Sequence, residues 1–113
     1  MILPEQIREL DSDMAALRMV VELNMTVYHA LELKHSLLDA LLSASALEVD
    51  LSQVREIDTS GIQLLMLAKR ESLSQGKTLA IVAHSSAVRE ALDFYNLAAY
   101  FGDPLVIAAQ DLN

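Results

Sequence analysis

The chain has 113 residues, 53% of them apolar, and sixteen acidic against eight basic side chains give a formal net charge of −8. That length suits one domain with a modest core, and the acidic balance excludes a nucleic-acid backbone as partner, since binding one takes clustered positive charge. Cysteine is absent, which excludes disulfides, thiolate metal sites and a cysteine nucleophile.

Residues 2–10 fit either a helix or an edge strand, with Pro4 suited to either start and Ile7 and Leu10 as apolar points. Asp11-Ser12-Asp13 reads as a turn. Leu17–Leu23 contains Met19, Val20, Val21 and Leu23, and reads as a strand buried over most of its surface. Thr26-Val27-Tyr28 either prolongs it or opens a short connection. The spacing of Ala30, Leu33, Leu37, Leu38, Leu41 and Leu42 predicts a helix over 30–42, with Glu32, Lys34, His35 and Asp39 on its polar side. Leu47–Leu51 alternates apolar and polar residues, as a half-buried strand does.

Asp58-Thr59-Ser60-Gly61 follows, set between that strand and an apolar run from Ile62 to Ala68 broken by Gln63. Two hydroxyls, a carboxylate and a glycine thus stand at a predicted helix start. Such an end presents unpaired N–H groups and partial positive charge, so anionic groups are well received there, and a serine at that place suits a phosphorylation switch. The helix is predicted over 60–75, with Gly76 as its C-terminal stop and Lys69 and Arg70 in its second half. Leu79–Ala83 reads as a short apolar strand. Ser85 or Ser86 caps a helix over 87–95 with Val88, Ala91, Leu92 and Tyr95 on one face. Asn96 and Leu97 lead to a short segment ending at Phe101-Gly102. Leu105-Val106-Ile107 is a final edge strand or a packed tail. The order predicts an α/β layer fold, with a mixed sheet and helices packed mainly on one face.

From Leu17 to Phe101 the chain resembles the STAS domain family, shared by anti-sigma factor antagonists and the cytoplasmic domains of sulfate transporters. The specific part is the stretch from Leu47 to Leu65, which holds Asp58-Thr59-Ser60-Gly61. Gly76-Lys77, Leu79–Ala83, Ser85-Ser86-Ala87-Val88-Arg89 and Asn96-Leu97 fit after it. The resemblance implies one STAS-like domain over 1–113, with an N-terminal segment 1–16 and a tail 103–113. It further implies a non-catalytic module that binds an anti-sigma factor or serine kinase. Ser60 matches the family's phosphoacceptor, Thr59 a neighbouring hydroxyl that some members phosphorylate, and Asp58 the preceding acid. Asn24-Met25-Thr26-Val27 departs from the family's usual Gly-Glu-Leu-type turn in a loop that helps form the partner-facing surface. The resemblance also fits STAS proteins of chemotaxis systems and small subunits bound to ABC transporter ATPases, where the same helix end docks without phosphorylation.

The expected partner surface is therefore Asp58, Thr59, Ser60, Gly61, Asn24 and Met25, with Leu64 or Leu67 as the apolar contact. A two-layer protein buries only one helix stripe, which leaves part of the Ile62–Leu67 run for a partner unless a neighbouring helix covers it. Asp58 is the expected helix cap, and Gly61 the residue that permits close backbone approach. No catalytic residue, cofactor or metal site is expected. His29, His35 and His84 share no ligand spacing, and no Gly-rich phosphate loop, Gly-x-Ser-x-Gly or His-Glu-x-x-His occurs. Any phosphoryl group must come from another protein. No apolar run approaches a membrane span and no signal peptide is read, so the cytoplasm is the expected compartment.

Overall fold

The computed structural model describes residues 4–11 and 14–101. Of the expected Asp11-Ser12-Asp13 turn, Asp11 is the last residue of a strand, and Ser12 and Asp13, like Leu105-Val106-Ile107, lie outside the described residues. In chain order come β1 (Pro4–Asp11), β2 (Met14–Val20), a 3-10 turn (Val27–His29), α1 (Ala30–Ser43), β3 (Ala46–Leu51), α2 (Thr59–Ser74), β4 (Thr78–His84), α3 (Ser86–Phe94) and α4 (Ala98–Phe101). The first stretch is thus an edge strand rather than a helix. The strands lie in the sheet in sequence order, β1 antiparallel to β2 and the other pairs parallel.

Alternation decides which face of the sheet is buried. Leu47, Val49 and Leu51 of β3 are buried, and Ala46, Glu48 and Asp50 on the other face are partly exposed. Register then aligns apolar rows across three strands: Leu17 beside Leu47 beside Leu79, and Met19 beside Val49 beside Ile81. On the opposite face Arg18 and Glu48 are register partners, and Nε and Nη2 of Arg18 donate to one Glu48 carboxylate oxygen at 3.2 and 3.1 Å. β2 stops at Val20, earlier than the apolar run through Leu23 suggests. Val21 stays fully buried and donates its N–H to the Asp50 carbonyl, after which the chain leaves the sheet at Asn24.

The core is closed by helices. α1 buries Leu33, Leu37, Ala40 and Leu41, one stripe at helical spacing. α2 buries Ile62, Leu64, Leu65, Ala68 and Ser72, a wider arc than one stripe, because α1 lies alongside it and covers what the sheet does not. Each fully buried leucine in this cluster contributes about 1.5–3 kcal/mol relative to exposure. Val88, Leu92 and Phe101 close the cluster from α3 and α4.

α2 and α3 end in the same way. Gly76 and Asn96 follow them with φ of 69° and 57°. In each case the next N–H reaches back to a carbonyl of the last turn: Lys77 to Ser72 at 2.8 Å, and Leu97 to Leu92 at 2.7 Å. Asn96 is a side chain held in left-handed backbone. Asn96→Ala is expected to cost about 1 kcal/mol and Asn96→Gly to be neutral or stabilising, as read from urea unfolding midpoints.

Candidate functional site at the start of the central helix

β3 delivers the chain to the site through a local turn. One Asp50 carboxylate oxygen accepts from the Ser52 N–H at 2.8 Å and the Ser52 hydroxyl at 2.6 Å. The Ser52 hydroxyl bond is the main cause that holds Asp50 below the usual carboxylate range; burial opposes it, and the Ser52 N–H bond and the charge of Arg18 add to the lowering. A lowered folded-state value stabilises the fold above the unfolded value, and that contribution is lost as pH falls through the folded value. Ser52→Ala is therefore expected to raise the Asp50 pKa. The stability gap between wild type and variant should be present at neutral pH and close in strong acid, as followed by carboxyl NMR and thermal melts across that range.

From Ser52 the chain runs to α2 alongside the segment that follows β2, and the two are stitched together. Asn24 Oδ1 accepts from the N–H groups of Arg55 and Glu56, both at 3.1 Å. Met25 donates its N–H to the Glu56 carbonyl at 2.9 Å and accepts from the Asp58 N–H at 3.1 Å, making a small parallel bridge with Ile57 between them. Asp58 completes the clasp. Its Oδ1 accepts from the Gly61 N–H at 3.2 Å, capping α2, and its Oδ2 accepts from the Val27 N–H at 3.1 Å. Thr26, the cap of the 3-10 turn, makes no side-chain cap bond of its own, so Asp58 serves two helical starts with one carboxylate.

Gly61 is where these layers meet. A Cβ there would lie 2.8 Å from both Ile57 Cγ1 and Met25 Cβ, and closer still to the Met25 carbonyl oxygen. Only a hydrogen fits.

The two hydroxyls turn to different neighbours. Ser60, half-buried, borders a groove of about 370 Å³ between α1 and α2, shared with Leu31, Lys34, Gln63, Leu64 and Leu67. Thr59, exposed, lies 3.4 Å from the Tyr95 hydroxyl, and either can donate. Tyr95 belongs to a second cleft of about 500 Å³, lined on one side by Arg55, Glu56 and Ile57 and on the other by Glu90 and Phe94 of α3.

The structure brings Asn24, Met25, Asp58, Thr59, Ser60 and Gly61 together but divides their roles. Met25 is fully buried and Gly61 is buried, so neither offers a side chain to a partner; they support the surface from beneath. Leu64 is only 6% exposed and forms groove floor rather than a free contact, because α1 covers that side of α2. The large exposed apolar side chains nearby are instead Val27, Tyr28 and Leu31, at 63%, 89% and 67%. Sequence reasoning missed these, and it missed Tyr95, whose contact with Thr59 spans 36 residues. Phe94, largely exposed, stacks edge-on against Tyr95 with ring centres 5.0 Å apart. Among the described residues no group of His, Asp and Glu is placed to hold a metal ion, and no helix is long and apolar enough to cross a membrane.

Comparison with known proteins gives this arrangement a family. No curated protein matches the sequence. Among solved structures, a Thermotoga maritima protein named as a candidate anti-sigma factor antagonist superposes with a TM-score of 0.71 at 18% identity, covering 94% of this chain and 92% of that one. An anti-sigma factor antagonist from Mycobacterium paratuberculosis gives 0.62 at 18% identity, over 89% of this chain and 83% of that one. The Bacillus cell-fate determinant SpoIIAA in its phosphorylated form gives 0.56 at 13% identity, over 96% and 98%. These likenesses show the fold. The family described as "Mlab, STAS domain" matches residues 9–107. STAS domains are non-catalytic signalling and interaction modules, and this chain belongs to the STAS domain family.

Proposed function

We propose that the chain is a cytoplasmic switch protein that binds an anti-sigma factor or related ATP-dependent serine kinase through the Ser52–Asp58 loop and the start of α2. Phosphorylation of Ser60 turns binding off, with Thr59 as the second acceptor. The kinase would transfer the γ-phosphoryl group of ATP to the Ser60 oxygen, releasing ADP and the hydroxyl proton. The observation that carries this reading is the junction itself. Ser60, half-buried, lines a groove on a helix start fixed by the Asp58 and Asn24 bonds. A phosphate there adds about −1.5 to −2 charge beside Asp58 without disturbing the core, so the partner meets a changed surface on an unchanged fold. Solved structures of the same fold support it: one is named as an anti-sigma factor antagonist, and SpoIIAA, which bears that name too, is solved in both phosphorylated and unphosphorylated forms.

The test is phosphorylation and binding with the kinase recovered from native cells on the immobilised chain. Intact mass should show one added phosphoryl group, mapping to Ser60 and lost in Ser60→Ala. Ser60→Glu should weaken binding at least about tenfold, the effect of some 1.4 kcal/mol. Undiminished binding by Ser60→Glu would sink the charge switch.

A second reading is a subunit that docks on a chemotaxis component or an ABC transporter ATPase without phosphorylation. The exposed Val27, Tyr28 and Leu31 beside the same groove favour it, since a cluster of large apolar side chains at a surface marks a contact. Recovery of the native chain unmodified and bound to such a component would favour this second reading.

A further inference from the structure

We propose that Lys34 is the receiving cation of this site: it pairs with a phosphoryl group on Ser60 and draws it across the α1–α2 groove. The inference rests on the reading of Ser60 as the modified residue and adds where the phosphate goes.

Lys34 and Ser60 stand on different walls of one groove, Lys34 on α1 and Ser60 on α2, and Lys34 is the one charged residue in its lining. Its ammonium group has no hydrogen bond or ion pair among the described residues. Three other cations are committed, Lys69 to the Leu79 carbonyl, Lys77 to the Leu41 carbonyl and Arg18 to Glu48, and Arg55 lines the separate Tyr95 cleft. The groove floor is Leu64 and Leu67, so a charge pair above it is less well screened than one in open water.

Two N–H groups at the helix start, those of Gly61 and Ile62, are already held. Asp58 Oδ1 holds the Gly61 N–H, the Asp58 carbonyl holds the Ile62 N–H, and Asp58 Oδ2 holds the Val27 N–H. The Asp58 carboxylate also repels a phosphate that would lie over the helix end. On the first turn of α1, Glu32 lies 3.8 Å from His29, and neither borders the groove. Repulsion from Asp58 and attraction to Lys34 thus act in the same direction. A phosphate bridged to Lys34 spans the groove above Leu64 and Leu67, so modification covers apolar surface as well as adding charge. Thr59 has no part in this, because it faces Tyr95 and the cleft that holds Arg55.

The experiment uses the full chain with phosphoserine placed at position 60 during translation, so it does not depend on whether a cell ever phosphorylates it. Phosphorus NMR titration reads the second phosphate pKa. Lys34→Gln is expected to raise that value by about 0.5 unit, the size of an exposed ion pair, and Lys34→Arg to keep it low. Phosphothreonine placed at 59 should be insensitive to Lys34→Gln. Equal values in the wild-type and Lys34→Gln phosphoserine proteins would overturn the assignment, and so would an equal shift at position 59. Circular dichroism melts confirm that each form is folded. A kinase that ignores Ser60 would defeat the functional reading and leave this measurement unchanged.

Discussion

Gly61→Ala is expected to destabilise the chain by about 3 kcal/mol, and Gly61→Val by more. The reason is positional. The added Cβ would meet the Met25 carbonyl oxygen, Met25 Cβ and Ile57 Cγ1, all three of them atoms of the two residues that bridge the loops. Backbone cannot swing aside as the end of a long side chain can. Relief requires α2 to back away from the Met25 segment, which breaks the Asp58–Gly61 cap at the same time. The helical φ of the position is open to any residue, so the loss comes from contact and not from backbone strain. Urea unfolding measures it. A Gly61→Ala protein as stable as wild type would mean that the two loops are not held as closely as described.

Asp58→Ala is the second large effect, expected at about 2 kcal/mol. It removes the α2 cap and the acceptor for the Val27 N–H together. Asp58→Asn keeps one acceptor oxygen and can satisfy only one of the two donors, so it should lose about half as much. Amide exchange separates the two contributions residue by residue. Gly61 and Val27 should both exchange faster in Asp58→Ala, whereas only one should in Asp58→Asn. Asn24→Ala removes the other half of the clasp, and the double variant should be less stable than either single one but by less than their sum, since both secure the same pair of segments. Strict additivity would show that Asn24 and Asp58 act independently.

What could be read from the sequence was whatever depends on near neighbours in the chain. Helical spacing located α1, and alternation located β3, because each pattern repeats within the element. Gly76 marked the end of α2, and Asp58 its cap, because a cap acts over three residues. The order of the elements predicted the mixed sheet, and the resemblance over Leu47–Leu65 pointed to the start of α2 as the expected partner surface. What escaped depends on distance. Asn24 bonds to Arg55 and Glu56, Asp58 reaches back to Val27, and Thr59 meets Tyr95, each across more than thirty residues. Nothing local distinguishes Asn24 as a clasp from Asn24 as a surface residue. Leu64 was misplaced for a related reason: one stripe of α2 faces the sheet, and only the lie of α1 shows that a second stripe is covered.

The sequential order of the strands bears on how the chain is made. Each strand after β1 leaves the ribosome with a sheet neighbour already present, and none must be inserted between two existing ones. The junction at α2 draws only on residues 24–27 and on the chain as far as Gln75, so it can close before β4 and α3 have been synthesised. Thr59 alone waits for a later partner, Tyr95. A nascent chain would therefore complete the Ser60 groove first and the Thr59 cleft last. A modifying enzyme working during synthesis would find one hydroxyl in its final setting while the other was still unaccompanied.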